Sequence, residues 1–387
     1  MLNNKISKYV QSISPSGIRR FFDLASQLDD VISLGVGEPD FITPWNICEA
    51  AIYNIEKGKT TYTSNKGLIR LRQEISRYLK KKFKLEYDPE NEIIVTVGAS
   101  QAIDIALRAI INPGDEIIIP QPSYVSYVPM VILCGGNPVI FQTYMEDNFR
   151  IRFEDLKNKI TKRTKGILIN YPSNPTGMTL SKSDLEQLRR IAIDYDLVVI
   201  ADEIYAEILF EGNHISIANL PNMKERTILI SGFSKAFAMT GWRIGYIAAD
   251  KVLIDAVTKI HQYSILCAPI ISQLAAIEAL TDSSDEIEKM VDSYQQRRNV
   301  MIDGFNQIGL KCSVPQGAFY AFPSIKRLGL SSEGFTERLL KKEKVVVIPG
   351  NIFGECGEGH IRCSFATYLN DIEESIIRIE RFINNLK

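Results

Sequence analysis

Short runs of apolar, mostly β-branched residues alternate along the chain with stretches in which apolar residues recur every three or four positions. The first pattern is typical of buried strands and the second of amphipathic helices. Strands that alternate with helices in this way predict a mostly parallel sheet with helices on its faces, an α/β fold. Seven runs lie between residues 92 and 249: Glu92–Gly98, Glu116–Pro120, Pro138–Thr143, Gly166–Pro172, Leu197–Glu203, Thr227–Gly232 and Arg243–Ala249.

The pattern changes towards the end of the chain. Helical periodicity dominates from about residue 250 to 310, and from Lys311 onward the apolar runs are fewer and separated by helices. We expect a large domain at residues 45–285 with a seven-stranded sheet. A smaller α+β domain is expected from residues 1–44 and 286–387, because Leu34–Phe41 (LGVGEPDF) has the irregular composition of a crossing segment.

Composition excludes several classes of protein. The 387 residues are enough for two or three domains. Lys and Arg number 45 and Asp and Glu 46, so a nucleic acid partner is not expected, and a phosphate would need a local pocket. Six widely spread cysteines favour reduced thiols in the cytoplasm and no metal site.

Neither a membrane span nor a secretory signal is expected. The uncharged stretch Ile117–Met145 is long enough to cross a bilayer, but prolines and glycines interrupt it and predict strand, helix and strand. The first residues lack a basic region followed by an apolar one.

Several catalytic motifs are absent. The chain contains no GxGxxG or GxxxxGK[ST] loop, and HExxH and GxSxG are also missing. Its three histidines, His214, His261 and His360, are spread apart and are interpreted as surface or hydrogen-bonded core residues. Metal-dependent hydrolysis and Ser–His chemistry are therefore not expected.

Polar residues follow two neighbouring predicted strands. Asp202 and Tyr205 come at the end of one, and Ser234 and Lys235 follow the next. Active sites of open α/β sheets lie at this edge, and a buried carboxylate there requires a cationic partner. Two interpretations remain open: an Asp202–Lys235 salt bridge, or a cofactor that Lys235 binds as an imine while Asp202 faces a protonated ring nitrogen.

Two possible phosphate ligands favour the cofactor. Arg243 follows a Gly-Trp turn beyond Lys235 and could bind a phosphate through both guanidinium nitrogens. Val97–Ala102 (VGASQA) predicts a strand, a glycine turn and a helix start, where the backbone N–H groups of Ala99 and Ser100 could bind an anion.

Eight segments together resemble the class I and II aminotransferases, which are fold type I pyridoxal 5′-phosphate enzymes. They are LGVGEPDF, YTSNKG, VTVGASQA, PSYVSY, YPSNPTG, VIADEIY, GFSKAFAMTGWRIGY and HIRCSFA, in the family's order and spacing. Within the family, the chain is most similar to the bacterial branch of aromatic, aspartate and N-acetyl-diaminopimelate aminotransferases.

The resemblance implies a role for each residue around the cofactor ring. Lys235 forms the imine and moves a proton between the substrate Cα and the cofactor C4′. Asp202 keeps the pyridine nitrogen protonated, so that the ring accepts electrons. Tyr205 and Asn174 hydrogen-bond the ring 3-oxygen, and Tyr124 stacks on the ring.

The resemblance also implies a phosphate site shared by two subunits, and hence a homodimer. In some relatives a hydroxyl precedes the lysine by three residues; this chain has Gly232 there, and Ser231 is an alternative donor. The implied phosphate ligands are Ala99, Ser100, Ser234 and Arg243, with Tyr62 from the second subunit.

Arg362 is implied to bind the substrate carboxylate, assisted by Asn174, Tyr124 and the backbone of Gly37. The resemblance further implies a cis peptide at Asn174–Pro175. Residues 13–22 are expected to fold over the pocket, where Arg19 or Arg20 could bind a second carboxylate or form a solvated basic pair.

The resulting hypothesis is an aminotransferase that moves an amino group from an L-amino acid to a 2-oxo acid by a ping-pong mechanism. The expected 2-oxo acid is 2-oxoglutarate. A β-lyase of the cystathionine or cysteine type on the same fold is the alternative. A DNA-binding regulator with this fold is disfavoured, since it would need a basic module before Leu34.

Overall fold

The computed structural model describes residues 2–26, 28–282 and 284–386. The strands are β1 Ile32–Ser33, β2 Ile93–Thr96, β3 Glu116–Gln121, β4 Asn137–Gln142, β5 Thr164–Asn170, β6 Val198–Asp202, β7 Thr227–Gly232, β8 Gly245–Ala248, β9 Tyr320–Ala321, β10 Val345–Val346, β11 Ile348–Pro349 and β12 Ile361–Ser364. Each of the seven runs predicted as strands forms a strand of one sheet, in the order β2-β8-β7-β6-β5-β3-β4.

The sheet is mostly parallel, as predicted. Only β8 runs in the opposite direction, antiparallel to both β2 and β7. The carboxyl ends of β2, β3, β5, β6 and β7 consequently share one edge. The segments that contain the predicted site residues Ala99, Tyr124, Asn174, Asp202 and Lys235 all begin at this edge.

Helices cover both faces of the sheet. The helices in the described part of the chain are α1 Lys8–Gln11, α2 Gly17–Ala25, α3 Trp45–Glu56, α4 Ile69–Phe83, α5 Gly98–Ile110, α6 Tyr127–Leu133, α7 Phe153–Lys157, α8 Lys182–Asp194, α9 Lys251–Ser264, α10 Ile270–Asp282, α11 Ser284–Gln307, α12 Ser332–Glu343 and α13 Leu369–Asn384. Short 3₁₀ helices lie at Leu2–Lys5, Met145–Asp147, Ile217–Asn219, Lys224–Arg226, Lys326–Leu328, Gly350–Phe353 and Glu355–Gly357.

Burial on both faces explains why the strands are continuous apolar runs. In β6, Ile200 packs into a core with α5, α6 and α9, whereas Val199 and Ala201 pack on the other face against α8. The uncharged stretch Ile117–Met145 contains β3, α6 and β4, which confirms the strand, helix and strand prediction. Among the described residues, no helix is long and apolar enough to cross a membrane.

A second group of elements packs beside the sheet. Strand β1 pairs in parallel with β10, and β11, β12 and β9 form an antiparallel sheet. Helices α11, α12 and α13 share a core with these strands. The pairing of β1 with β10 brings Ile32–Ser33 beside Val345–Val346; the domain bounds stay a prediction. The first and last residues of the proposed small domain, Met1 and Lys387, lie outside the described residues.

Candidate active site

A cavity of about 730 Å³ opens at the carboxyl edge of the sheet. Eleven of the twelve predicted site residues line it: Gly37, Ala99, Ser100, Tyr124, Asn174, Asp202, Tyr205, Ser234, Lys235, Arg243 and Arg362. The twelfth, Tyr62, does not line it, and its side chain is 83% exposed. The structure therefore brings together residues that are far apart in the sequence.

Lys235 follows β7 and extends into this cavity. Its amine donates a hydrogen bond of 2.6 Å to the Gly37 carbonyl oxygen and lies 5.6 Å from the centre of the Phe319 ring. Burial lowers the pKa of the Lys235 ammonium to about 8, although the nearby Glu38 carboxylate acts in the opposite direction. About a tenth of this amine is therefore unprotonated at pH 7, far more than for an ordinary lysine, and a nucleophile or base requires this form.

Asp202 ends β6 and is 4% exposed. The Tyr127 hydroxyl donates to its Oδ2 at 2.7 Å, and the Ile204 N–H donates to its Oδ1 at 3.2 Å. Burial raises the pKa of Asp202 to about 6, and these two hydrogen bonds limit the rise. Because the carboxylate bonds to Tyr127 and the Lys235 amine to Gly37, the salt-bridge interpretation is not supported in the described part of the chain.

An anion-binding cradle lies where helix α5 begins. Gly98 has a φ of +76°, and a Cβ atom there would lie 2.8 Å from Nη2 of Arg243. The guanidinium is oriented by a hydrogen bond of 2.9 Å from Nη1 to the Thr240 carbonyl oxygen. A cation beside the N-terminus of a 13-residue helix is a favourable site for a phosphate.

Ser234 lines the same cavity, but the alternative donor Ser231 does not. The Ser231 hydroxyl instead donates to the Glu203 carbonyl oxygen at 3.4 Å. Side chains alternate along β7, and Ser231 shares the face of Leu229, which packs in the core opposite that of Ile230. The suggestion that Ser231 replaces the missing hydroxyl is therefore wrong.

Arg362, in β12, is a buried cation that lines the cavity. It is 3% exposed, and its guanidinium carbon lies 4.5 and 4.9 Å from the ring centres of Tyr320 and Phe353. Nη1 donates to Asn174 Oδ1 at 3.1 Å and Nη2 to the Gly35 carbonyl oxygen at 2.7 Å, while Nε has no partner. Burial lowers the pKa of Arg362, which bonds to no carboxylate among the described residues.

Comparison with known proteins decides the family. Residues 29–379 match the family model "Aminotransferase class I and II". The chain belongs to the class I and II aminotransferases. It is 55% identical to the "Putative aminotransferase YugH" of Bacillus subtilis (strain 168) and 45% identical to an aspartate aminotransferase of Pyrococcus abyssi. Each alignment covers 99% of both sequences.

The solved structures agree. The crystal structure of an aromatic aminotransferase from Pyrococcus horikoshii superimposes on this aminotransferase with a TM-score of 0.91 at 44% identity, covering 95% of this chain and 99% of that one. The expected family, fold type and pyridoxal phosphate cofactor are confirmed, and amino-group transfer is its reaction. The β-lyase alternative is not favoured, since these relatives are named aminotransferases.

The residues of this aminotransferase fit the cofactor. Pyridoxal phosphate carries an aldehyde, a ring nitrogen and a phosphate, and the cavity offers an amine of lowered pKa, a buried carboxylate and an anion cradle. The cradle space beside Gly98 exists only because this residue has no side chain. The Asn174–Pro175 peptide is cis, as the resemblance implied.

Two tyrosines of the cavity were not predicted. Tyr127 bonds to Asp202, and the Tyr320 hydroxyl lies 2.9 Å from the Tyr205 hydroxyl. Tyr127 is three residues after Tyr124, and a tight turn, in which its N–H donates to the Tyr124 carbonyl oxygen, carries both rings. This short spacing was the signal in the sequence. No local signal identified Tyr320, because its contacts depend on how the small sheet packs against the large one.

The N-terminal segment lies partly over the cavity of the aminotransferase. Ile18 of α2 lines the cavity. Arg20 does not face it, because its guanidinium pairs with Glu333 and Glu337 of α12. Arg19 is exposed, and the side chain of Phe22 lies outside the described residues. Of the two alternatives for this basic pair, the solvated one describes Arg20 better.

The three histidines lie outside the cavity lining. His214 lies 2.9 Å from a Glu203 carboxylate oxygen, His261 bonds to Gln101, and the His360 ring stacks on Phe322. In the described part of the chain, no group of three or more His, Cys, Asp or Glu side chains is arranged to bind a metal ion.

Proposed function

We propose that this aminotransferase transfers an amino group from an L-amino acid to 2-oxoglutarate by a ping-pong cycle in amino acid metabolism, with Lys235, Asp202 and Arg362 as its principal residues. The observation that carries the proposal is the guanidinium of Arg362, which is buried at the cavity without a carboxylate partner. Burying a cation without an anionic partner costs free energy. Amino acids and 2-oxo acids both carry an α-carboxylate, and its binding to Arg362 would offset that cost.

The geometry assigns a task to each residue. When bound, pyridoxal phosphate supplies an aldehyde that condenses with amines and a ring that withdraws electrons from the substrate α-carbon. Arg362 binds the α-carboxylate and so orients the α-carbon. Lys235, with a pKa of about 8, can take or return a proton at this carbon. Asp202, with a pKa of about 6, is mostly ionised at pH 7 and can hold a proton on the ring nitrogen.

Tyr205, Asn174 and Tyr124 complete the proposed cofactor site. Tyr205 and Asn174 line the cavity, and the Tyr205 hydroxyl and the Asn174 amide group are proposed to donate hydrogen bonds to the ring 3-oxygen. Tyr124 also lines the cavity and is proposed to stack on the ring. The phosphate is proposed to bind between the start of α5, at Ala99 and Ser100, and the side chains of Ser234 and Arg243.

Aromatic donors suit the rest of the cavity. Apart from the residues already given a task, its side chains include Ile18 and Tyr320, and its described lining contains no fourth Lys or Arg to pair with a side-chain carboxylate. One relative is named an aromatic aminotransferase and another an aspartate aminotransferase. We therefore place aromatic L-amino acids before aspartate as donors.

A panel of L-amino acids with 2-oxoglutarate tests this function. Glutamate and the 2-oxo acid of the donor should form in equal amounts, with the highest kcat/KM for aromatic donors. Release of ammonia and pyruvate from cysteine or cystathionine, with no glutamate from any donor, would instead identify a lyase. A higher kcat/KM for aspartate than for phenylalanine or tyrosine would overturn the choice of donor alone.

A homodimer with a shared phosphate site is also proposed. Large apolar side chains near Tyr62 in the sequence, Ile42, Trp45 and Tyr53, are strongly exposed in the single chain, which favours a surface covered by a second copy. The Tyr62 hydroxyl would then reach the phosphate of the neighbouring subunit.

Hybrid dimers test the sharing. Tyr62→Ala and Lys235→Ala subunits, each weakly active alone, should regain activity when refolded together, because one site of the hybrid receives both native residues. Mixing Lys235→Ala with Asp202→Ala is the control, since both changes affect the same subunit's site and no complete site can form. Equal recovery in both mixtures, or none in the first, would contradict the shared site.

The cytoplasm is the proposed location. All six cysteines are free thiols, as a reducing compartment allows. Cell fractionation that follows the enzyme activity would test this location.

A further inference from the structure

Tyr127 contacts the buried acid of the site directly. It is the first residue of α6, is 1% exposed and packs in the core between the sheet and the helices α5, α6 and α9. Its hydroxyl donates to Oδ2 of Asp202 at 2.7 Å, while the Ile204 N–H serves Oδ1. Each carboxylate oxygen thus has one donor from the protein.

The position of the Tyr127 ring is fixed from several sides. Its N–H donates to the Tyr124 carbonyl oxygen at 3.2 Å. The rings of Tyr124 and Tyr127 meet edge to face, with centres 5.4 Å apart. The turn after β3 therefore carries two residues with separate tasks. Tyr124 is proposed to stack on the cofactor ring, and Tyr127 donates a hydrogen bond to Asp202, the acid proposed to face the ring nitrogen.

A charged carboxylate in this apolar surrounding depends on its donors. Burial already raises the pKa of Asp202 to about 6, and the Tyr127 hydrogen bond is the first of the effects that oppose burial. Losing a hydrogen bond to a charged group typically shifts a carboxylate pKa by about one to two units. A shift of that size would leave about half or more of Asp202 neutral at pH 7, and the neutral form has no charge with which to hold a proton on a ring nitrogen.

We propose that Tyr127 is a positioning residue for the reaction: its hydroxyl keeps Asp202 ionised and fixes the direction of the carboxylate in the cavity. The proposal rests on the role proposed above for Asp202. Tyr127 acts through this acid and needs no contact of its own with the substrate.

Tyr127→Phe is the variant that tests the proposal, because it keeps the ring and removes only the hydroxyl. Tyr87→Phe is the matched control: Tyr87 is 3% exposed, its hydroxyl has no hydrogen-bond partner, and it does not line the cavity. Both variants remove one buried hydroxyl, but only one of these hydroxyls contacts Asp202.

The decisive measurement is the ionisation of Asp202 in the full chain freed of cofactor, followed by infrared spectroscopy with ¹³C-labelled aspartate and with Asp202→Asn to assign the band. We expect the midpoint to move up by about one to two pH units in Tyr127→Phe and to stay unchanged in Tyr87→Phe. An unchanged midpoint in a folded Tyr127→Phe protein would overturn the proposal.

The holoenzyme gives a second readout. The acidic limb of kcat against pH should shift upward in Tyr127→Phe, with activity largely restored at high pH, and the cofactor should dissociate more readily at neutral pH. A purely structural role would lower activity equally at every pH and would thereby contradict the proposal. If Tyr127→Phe does not fold, 3-fluorotyrosine at position 127 replaces it, because it is a stronger hydrogen-bond donor with nearly the same shape. It should lower the midpoint of Asp202 ionisation, and an unchanged midpoint would contradict the proposal.

These outcomes separate two kinds of failure. If Asp202→Asn kept full activity, the role proposed for Asp202 would fail, whatever the midpoints show. If Asp202→Asn were inactive and Tyr127→Phe behaved like Tyr87→Phe, only the role of Tyr127 would fail.

Discussion

The amine of Lys235 donates a hydrogen bond of 2.6 Å to the carbonyl oxygen of Gly37. This contact joins the segment after β7 to the irregular segment Leu34–Phe41, of which residues 35–38 line the cavity. The segment cannot shift far without moving the Arg362 guanidinium, which donates to the Gly35 carbonyl oxygen. The proposed catalytic amine and the proposed carboxylate-binding arginine are therefore both fixed by the backbone of one short segment.

Lys235 should be far more reactive than an ordinary lysine in the cofactor-free protein. Burial disfavours its ammonium form and lowers its pKa to about 8, against about 10.4 for an exposed lysine. Competitive acylation followed by mass spectrometry should give half-maximal labelling of Lys235 near pH 8. The exposed Lys251 is the internal control; identical labelling profiles for the two lysines would contradict the prediction.

Arg362→Lys should weaken the binding of every donor and acceptor. Lysine cannot reproduce the planar pair of donors that a guanidinium offers to a carboxylate. Losing one charge-assisted hydrogen bond, worth about 1.5–3 kcal/mol, predicts a loss of about 10- to 150-fold in kcat/KM. Arg20→Lys is the control, since Arg20 pairs with Glu333 outside the cavity, and its kcat/KM should be unchanged.

Gly98→Ala should weaken cofactor binding for a reason that differs from backbone strain. The new Cβ would lie 2.8 Å from Arg243 Nη2 and would displace the guanidinium from the start of α5. Gly114→Ala separates the two effects, because Gly114 has a φ of +90° and a Cβ added there would meet no atom within 4 Å. We expect a Kd for pyridoxal phosphate at least about 10-fold higher in Gly98→Ala only, the result of losing about 1.4 kcal/mol.

His360 should make the protein less stable in mild acid. Burial and the nearby Lys326 lower the pKa of His360, so the unfolded chain takes up this proton at a higher pH than the folded one. The free energy of unfolding should then fall as the pH drops below about 6.5, by about 1.4 kcal/mol for each unit of pKa difference.

His360→Phe tests this dependence, because the new ring can retain the stacking on Phe322, whose centre lies 5.1 Å from that of His360. Chemical denaturation at pH 7 and pH 5 should show a smaller loss of stability in the variant than in the wild type. An equal loss in both proteins would rule out His360 as the cause.

Local pattern was sufficient for the elements of the sheet. The runs around Ile200 and Ile230 are apolar on both faces because helices cover both faces, and that pattern is visible in the sequence alone. The same alternation excludes Ser231 from the cavity, since it shares a face with Leu229. The prediction that Ser231 could serve the phosphate overlooked this rule.

The sequence by itself determined the order of strands and helices, the edge at which the chemistry lies and most of the residues there, because each depends on periodicity or on segments only a few residues long. Tertiary structure alone decided the pairing of Tyr127 with Asp202 and of Tyr205 with Tyr320, which are 75 and 115 residues apart. Those contacts depend on how α6 and the small sheet pack against the strand ends. Packing of this kind is set by the shapes of whole surfaces, which no local pattern contains.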